Sequence, residues 1–490
     1  MRSHVHGAAA VARTGFRHAM LFPTVEYALF FLLTLGIAWP LTRWLAWHNG
    51  FLLLVSYVFY GFWNWAYVPL LFGISLFAGL VAQRIQRSTQ AVVRKAWLVF
   101  GVIVCLAVLV YYKYTGFLLQ NLLELWRHVG KPPALQLESP LLPLGISFFV
   151  FHAISLLGDV YREKLKEPVR IPDALLYVAF FPQLIAGPIL RASDFIPQLA
   201  KSPDPQAIFV NRGLMLIVIG LVKKVIISNQ LAVALVDPAF AAPQALAGPD
   251  MLLAVYGYAV QIYCDFSGYT DIAIGCALLL GYRFPDNFNR PYTATDPQDF
   301  WRRWHISLSS WLRDYLYIPL GGSHGGRWFT SRNLMITMLL GGLWHGASWT
   351  FVIWGGLHGG YLMVHRLWAA LPWFTRLRTS IAWRWIARLL LFHAVCAAWV
   401  FFRAPSLQQA LDVFARFSVS GPLTLAGGSV VALLLLGLAG QYAPARWHDA
   451  LEREFCRWSA PMRGTAFATV LFAIELLGPS GVAPFIYFQF

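Results

Sequence analysis

The chain has 490 residues, 58% of them hydrophobic and only 12% charged. Soluble domains carry about 25% charged residues, so the apolar excess must face lipid, and no long soluble domain fits anywhere. A net charge of +16 does not call for nucleic acid here; it reads as the cytosolic bias of Lys and Arg that orients membrane helices.

In chain order, the polar stretch Met1–Ala19 reads as a tail, with Met20 an alternative start. Arg2, Arg13 and Arg17 precede an apolar run, but no small-residue cleavage site follows clearly, so a retained first helix is expected rather than a cleaved signal peptide. Residues 20–490 read as a single membrane domain. Its long apolar runs are Tyr27–Leu45, Trp97–Tyr112, Leu214–Val236, Met251–Leu280, Leu334–Met363, Ile386–Phe402 and Val430–Gln441 with its flanks. Shorter ones are Phe51–Trp63, Val68–Val81, Leu141–Val160 and Ala466–Leu477. Against the roughly 20 residues needed to cross a bilayer, they predict an all-α polytopic protein with about ten to twelve membrane helices.

The segment Gln83–Lys95 holds Arg84, Arg87, Arg94 and Lys95 without an acid and is expected in the cytosol. Arg283–Arg332, with seven arginines against four aspartates, is assigned to the same side. In "FFPQLIAGPILR" (Phe180–Arg191), Pro182, Gly187 and Pro188 fall within seven residues. Proline removes a backbone donor and clashes with the preceding turn, so a re-entrant element or a short kinked helix is expected there. Broken backbone at membrane depth needs cover from protein or a water-filled cavity.

The stretch Asp296–Pro319 predicts one amphipathic helix. Asp296 is an N-cap, Pro297 suits the first helical position, and Asp299 follows three residues after the cap. Trp301, Trp304, Leu308, Trp311 and Tyr315 recur at spacings of 3, 4, 3 and 4. Arg303, Ser307, Ser310 and Asp314 form the opposite face, so the helix belongs at the interface. His305 sits with its apolar side.

His345 and His358 lie in "LGGLWHGASWTFVIWGGLHGG" (Leu340–Gly360). If Leu334–Met363 is one helix, the two rings stand about 20 Å apart on nearly opposite faces and cannot share a metal. No H-E-x-x-H spacing occurs, and no metal is expected. Five cysteines, Cys105, Cys264, Cys276, Cys396 and Cys456, show no CxxC pair and suggest neither a disulfide framework nor a zinc site; Cys264 and Cys276, in one apolar run, are expected to pack as small hydrophobes. An ionisable residue inside a membrane is a functional-site hypothesis. His345 is read either as a proton-handling group, with Trp344 and Trp349 walling a pocket, or as a ring bonded to a neighbouring helix. Asp265 and Asp271, acids in an apolar run, are read either as substrate contacts or as partners in structural ion pairs.

Taken together, "LPLGISFFVFHAISLLGDVYR" (Leu142–Arg162), "YVAFFPQLIAGPILR" (Tyr177–Arg191), "YCDFSGYTDIAIG" (Tyr263–Gly275), "FPDNFNRPY" (Phe284–Tyr292), "DFWRRWHISLSSWLRDYLYIPLGG" (Asp299–Gly322), "GLWHGASWTFVIWGGLHG" (Gly342–Gly359) and the closing "FIYFQF" resemble the membrane-bound O-acyltransferase (MBOAT) family, of the bacterial alginate O-acetyltransferase type. The core motifs fall at 142–191 and 263–359. The resemblance implies re-entrant and interfacial helices around a central cavity, in a multi-pass protein of the inner membrane. It implies His345 as the catalytic histidine, acting as general base on a hydroxyl, and His305 as the second. Acetyl-CoA is the implied donor; Arg302, Arg303 and Arg313, beside His305, are read either as contacts to its phosphates or as a solvated interfacial face, with Trp344, Trp349 and Asp265 as further candidate substrate contacts. The implied acceptor is an exported polysaccharide, reached directly or through a periplasmic acetyltransferase or polysaccharide-synthesis complex. Two other readings stand beside it: a D-alanyl transferase for teichoic acid, and a transporter without chemistry, for which the internal repeats common in transporters are missing.

Overall fold

The computed structural model describes residues 20, 22–130, 140–204, 210–478, 485 and 486. The tail Met1–Ala19 and most of the closing "FIYFQF" lie outside the described residues. Among those described, the regular structure is helical throughout. Five helical runs are long and apolar enough to cross a membrane: Leu45–Arg87, Ala91–Val129, Val210–Ala241, Ile381–Arg403 and Ala460–Leu477. The first two, at 43 and 39 residues, are about twice the length of one crossing. Asn64, extended at φ −165°, ψ 113°, interrupts the first of these runs and accepts from the Ala66 N–H at 3.0 Å. Val25–Leu41, Ile146–Tyr161 and Gly428–Tyr442 are shorter apolar helices.

The chain forms two compact units, one from residues 1–209 and 276–284, the other from 210–275 and 285–488. In the first, Ile146–Tyr161 is buried all round and packs against Val68–Arg87 and Ala91–Leu109. Ala91–Leu109 carries an exposed stripe, Val99, Ile103 and Leu106, continued by Val110. A row of exposed aliphatic side chains at spacings of 4, 3 and 4 is a lipid-facing surface. The proline-rich element is a short helix, Phe181–Leu184, followed by irregular chain. It is covered by protein, and Tyr177 satisfies part of its backbone by donating its hydroxyl to the Leu190 carbonyl at 2.8 Å.

The second unit holds Val210–Leu221, the 32-residue helix Gly248–Leu279 as far as Gly275, and the helices of the candidate site. Val210–Leu221 and Gly248–Leu279 approach through glycine. A Cβ on Gly220 would fall 2.5 Å from the Gly268 carbonyl oxygen, and one on Gly275 would fall 2.6 Å from that of Gly213. In lipid, where apolar burial drives little association, such small-residue contacts supply the packing. Cys264 and Cys276 are buried as expected; Cys105 and Cys396 are buried too, while Cys456 is exposed.

Candidate active site

The stretch expected to be one helix over Asp296–Pro319 is broken in two. Pro297–Arg303 starts as predicted, with Asp296 Oδ1 accepting from the Asp299 N–H at 2.8 Å. Trp304 then turns extended, and His305 takes a left-handed conformation, φ 43°, ψ 55°, before Ile306–Leu312 begins. A non-glycine residue costs of order 1–3 kcal/mol in that region and stays there only when its surroundings fix it. They do so here by inserting a strand of loop: the Asn289 N–H donates to the Arg303 carbonyl and the Ile306 N–H to the Asn287 carbonyl, both at 2.9 Å. The break also reassigns Ser307. Expected on the polar face, it is buried and donates from both its N–H and its hydroxyl to Asn287 Oδ1, at 3.1 and 2.9 Å.

The WHG segment departs from expectation in the same way. Leu334–Met363 is not one helix; Gly326–His345 ends at the histidine, and Trp349–Ala369 turns back against it. Glycines make the hairpin tight. A Cβ on Gly342 would lie 2.3 Å from the Phe351 carbonyl oxygen, and one on Gly355 2.3 Å from that of Met338. The separation of about 20 Å expected between His345 and His358 therefore collapses, and both rings pack on Trp354, at 4.9 and 4.7 Å between centroids.

The hairpin brings His345 to His305. Their ring centroids are 6.4 Å apart, too far for a direct ring-to-ring hydrogen bond but within reach of one oxygen standing between them. Both are buried. Their walls are aromatic: Trp344 lies 5.0 Å from His345 and 6.0 Å from His305, Phe402 5.3 Å from His345, and Phe266 4.6 Å from His305. Burial pushes the His305 ring down to about 3, so it is neutral at ordinary pH. Trp349, expected in this wall, is largely exposed instead, and Trp354 takes its place.

The charged candidates separate. Asp265 sits in a buried ion pair with Lys224, and its second oxygen accepts from the Ile486 N–H at 3.0 Å. Asp271 pairs with Lys223 at 2.6 Å. For both acids the structural alternative is the one the geometry favours. Arg303 folds back on Asp299 at 2.8 Å, a helical i,i+4 pair. Arg302 instead lines a cleft of about 500 Å³ together with Arg313, Arg366, His365, Ser309 and Ser310. The cleft shares the helix Ile306–Leu312 with the His305 break. Among the described residues, no cluster of His, Cys, Asp or Glu has metal-binding geometry. Asn287, Trp354 and Arg366 were not singled out from the sequence. Trp354 and His358, four apart on one helix, and Arg366 in the last turn of that helix were open to a pattern search. Asn287 was not, because nothing local marks a loop asparagine as buried.

The fold and the site define a multi-pass, all-α membrane protein whose interior holds two histidines in an aromatic box. Residues 109–402 match the profile of MBOAT, the membrane-bound O-acyltransferase family. The chain is 42% identical to the probable alginate O-acetylase AlgI of Azotobacter vinelandii, across 80% of this chain and 77% of that one. It is 39% identical to the peptidoglycan O-acetyltransferase of Helicobacter pylori, across 74% and 72%. Against the teichoic acid D-alanyltransferase of Bacillus subtilis it is 30% identical, across 53% and 68%. The chain belongs to the MBOAT family and is an O-acyltransferase.

Proposed function

We propose that the protein transfers an acetyl group from a cytosolic thioester, acetyl-CoA, to hydroxyls of an exported polysaccharide, from the inner membrane, directly or through a periplasmic partner. The observation that carries this is the pairing of His345 with His305 across 6.4 Å inside an aromatic box. A hydroxyl is a weak nucleophile until its proton is removed. As its oxygen bonds to the acetyl carbon, His345 takes the proton. The C–S bond then breaks, and the proton leaves on the sulfur. The aromatic walls exclude water that would otherwise hydrolyse the thioester.

Arg302, Arg313 and Arg366 suit the donor's phosphates. The relatives named for alginate and peptidoglycan O-acetylation support a polysaccharide acceptor; the lower identity and coverage of the teichoic acid enzyme weigh against a D-alanyl donor. The test is acetate released from exported polysaccharide. A deletion strain should lose it, and wild-type chain but not His345→Gln should restore it. Full acetylation in the deletion strain would overturn the proposal.

A further inference from the structure

Asn287 decides what His305 can do. Its Oδ1 accepts from the Ser307 backbone N–H at 3.1 Å, a donor that cannot reverse, so the amide orientation is fixed with oxygen toward His305. His305 Nδ1 lies 3.2 Å from the same oxygen. An oxygen acceptor there requires the ring to donate, so Nδ1 carries the hydrogen and Nε2 of the neutral ring keeps its lone pair. Nε2 is buried with no hydrogen-bond partner in the protein. The left-handed backbone at His305, braced by the Asn287 carbonyl, aims the ring from the break between two helices rather than from a helix face.

We propose that Asn287 is a positioning residue that holds His305 in the Nδ1–H form, so that Nε2 serves the reaction as a hydrogen-bond acceptor. This rests on the acyl-transfer reading above and sharpens it. A neutral ring with its lone pair at Nε2 cannot donate from that atom to an oxyanion or to a thioester carbonyl. It accepts instead. When His345 becomes an imidazolium by taking the hydroxyl proton, a second oxygen that still carries hydrogen, from a water or a neighbouring hydroxyl of the acceptor, receives a hydrogen bond from His345 and donates its own O–H to His305 Nε2. The positive charge is thereby stabilised, and the proton returns to the leaving sulfur with none gained or lost. Asn287 thus plays the part of the third, orienting group behind a catalytic base.

The test compares Asn287→Asp with Asn287→Leu, each produced in the deletion strain at matched membrane levels. Aspartate keeps the acceptor for Nδ1–H and for Ser307; leucine removes it. Polymer-bound acetate should stay within several-fold of wild type for Asn287→Asp and fall about 10²-fold or more for Asn287→Leu. The aspartate carboxylate also favours the imidazolium form of His305. In membrane vesicles supplied with labelled acetyl-CoA, the acid limb of the pH–rate profile should therefore move to higher pH, a shift a merely structural residue would not produce. Equal loss in both variants at normal accumulation, or full activity in Asn287→Leu, would overturn the proposal. If Asn287→Leu does not accumulate, the profile of Asn287→Asp decides: an unmoved acid limb counts against the role. If wild-type vesicles take no label from acetyl-CoA, the donor assignment fails on its own, and the whole-cell comparison of the two variants still judges Asn287.

Discussion

A Cβ built on Gly346 would lie 2.2 Å from the Phe351 ring. The chain can reverse directly after His345 because this position carries no side chain. Gly346→Ala should force Phe351 from its place, at the 1–3 kcal/mol or so typical of overpacking. The control is Gly36→Ala, where nothing lies within 4 Å of the added methyl and the helix Val25–Leu41 should tolerate alanine well. Thermal unfolding of detergent-solubilised protein should show a lowered midpoint for the first and none for the second. Equal midpoints would mean that the hairpin repacks at no cost.

His345 should be indispensable to the chemistry and dispensable to the fold. His345→Ala and His345→Gln should each lower polymer-bound acetate by about 10²–10⁴-fold, with membrane levels unchanged on an immunoblot. Glutamine is the sharper probe, since it keeps polarity and approximate size but cannot take up and hold a proton. Wild-type acetylation by His345→Gln would reduce the residue to a structural hydrogen-bonding group.

Much of this arrangement was legible in the sequence. Apolar runs placed the helices, because lipid demands internally satisfied backbone. Asp296, Pro297 and Asp299 marked a helix start that the structure reproduces. Pro182, Gly187 and Pro188 marked the interruption after Phe181–Leu184, but the breaks at His305 and after His345 escaped. Trp301, Trp304, Leu308 and Trp311 keep a helical spacing across His305, yet tertiary hydrogen bonds from Asn287 and Asn289 split the helix there. The glycines of Leu340–Gly360 signalled close approach, but not that the approach was of the segment to itself. Both errors have one physical cause. Periodicity reports local preference along one helix, and these turns are held by contacts outside it: a separate loop at His305 and the facing helix of the hairpin after His345.

His305 should matter less than His345. A residue that stabilises charge on the base contributes less than the base itself, so His305→Ala should leave measurable acetylation where His345→Ala leaves none. Burial keeps this ring neutral far below neutral pH, so the wild-type rate should show no limb near pH 6.5 that His305→Ala removes. Polymer-bound acetate measures the first claim and a vesicle pH–rate profile the second. Full acetylation by His305→Ala would make the residue packing only.

Topology can be checked at the turn between Val68–Arg87 and Ala91–Leu109. Arg94 there pairs with Glu163 at 2.5 Å, so the end carrying Arg84 and Arg87 also gathers the loop holding Lys164 and Lys166. So dense a cluster of cations belongs in the cytosol. A cysteine replacing exposed Thr89, in a Cys456→Ser background because Cys456 is the exposed native thiol, should resist an impermeant maleimide in intact cells and react after permeabilisation. Labelling in intact cells would invert the orientation.

Packing and chemistry are separable at Asp265. Its carboxylate pairs with Lys224, both side chains nearly inaccessible, and it also accepts from the Ile486 N–H. Removing one member of such a pair leaves a buried uncompensated charge, at a cost of about 3–5 kcal/mol, whereas removing both is often neutral. Asp265→Asn should therefore reduce the protein recovered in membranes, because Lys224 loses its counter-charge even though the amide oxygen can still accept from Ile486. Lys224→Met combined with Asp265→Asn should restore recovery, and acetylation should return in proportion to the protein present. A substrate-binding aspartate would behave differently: the single variant would accumulate normally and fail to acetylate, and the second substitution would rescue nothing. Quantifying membrane protein and polymer-bound acetate in the same cultures distinguishes the two, since only a structural pair makes the ratio of acetate to protein constant across all three chains.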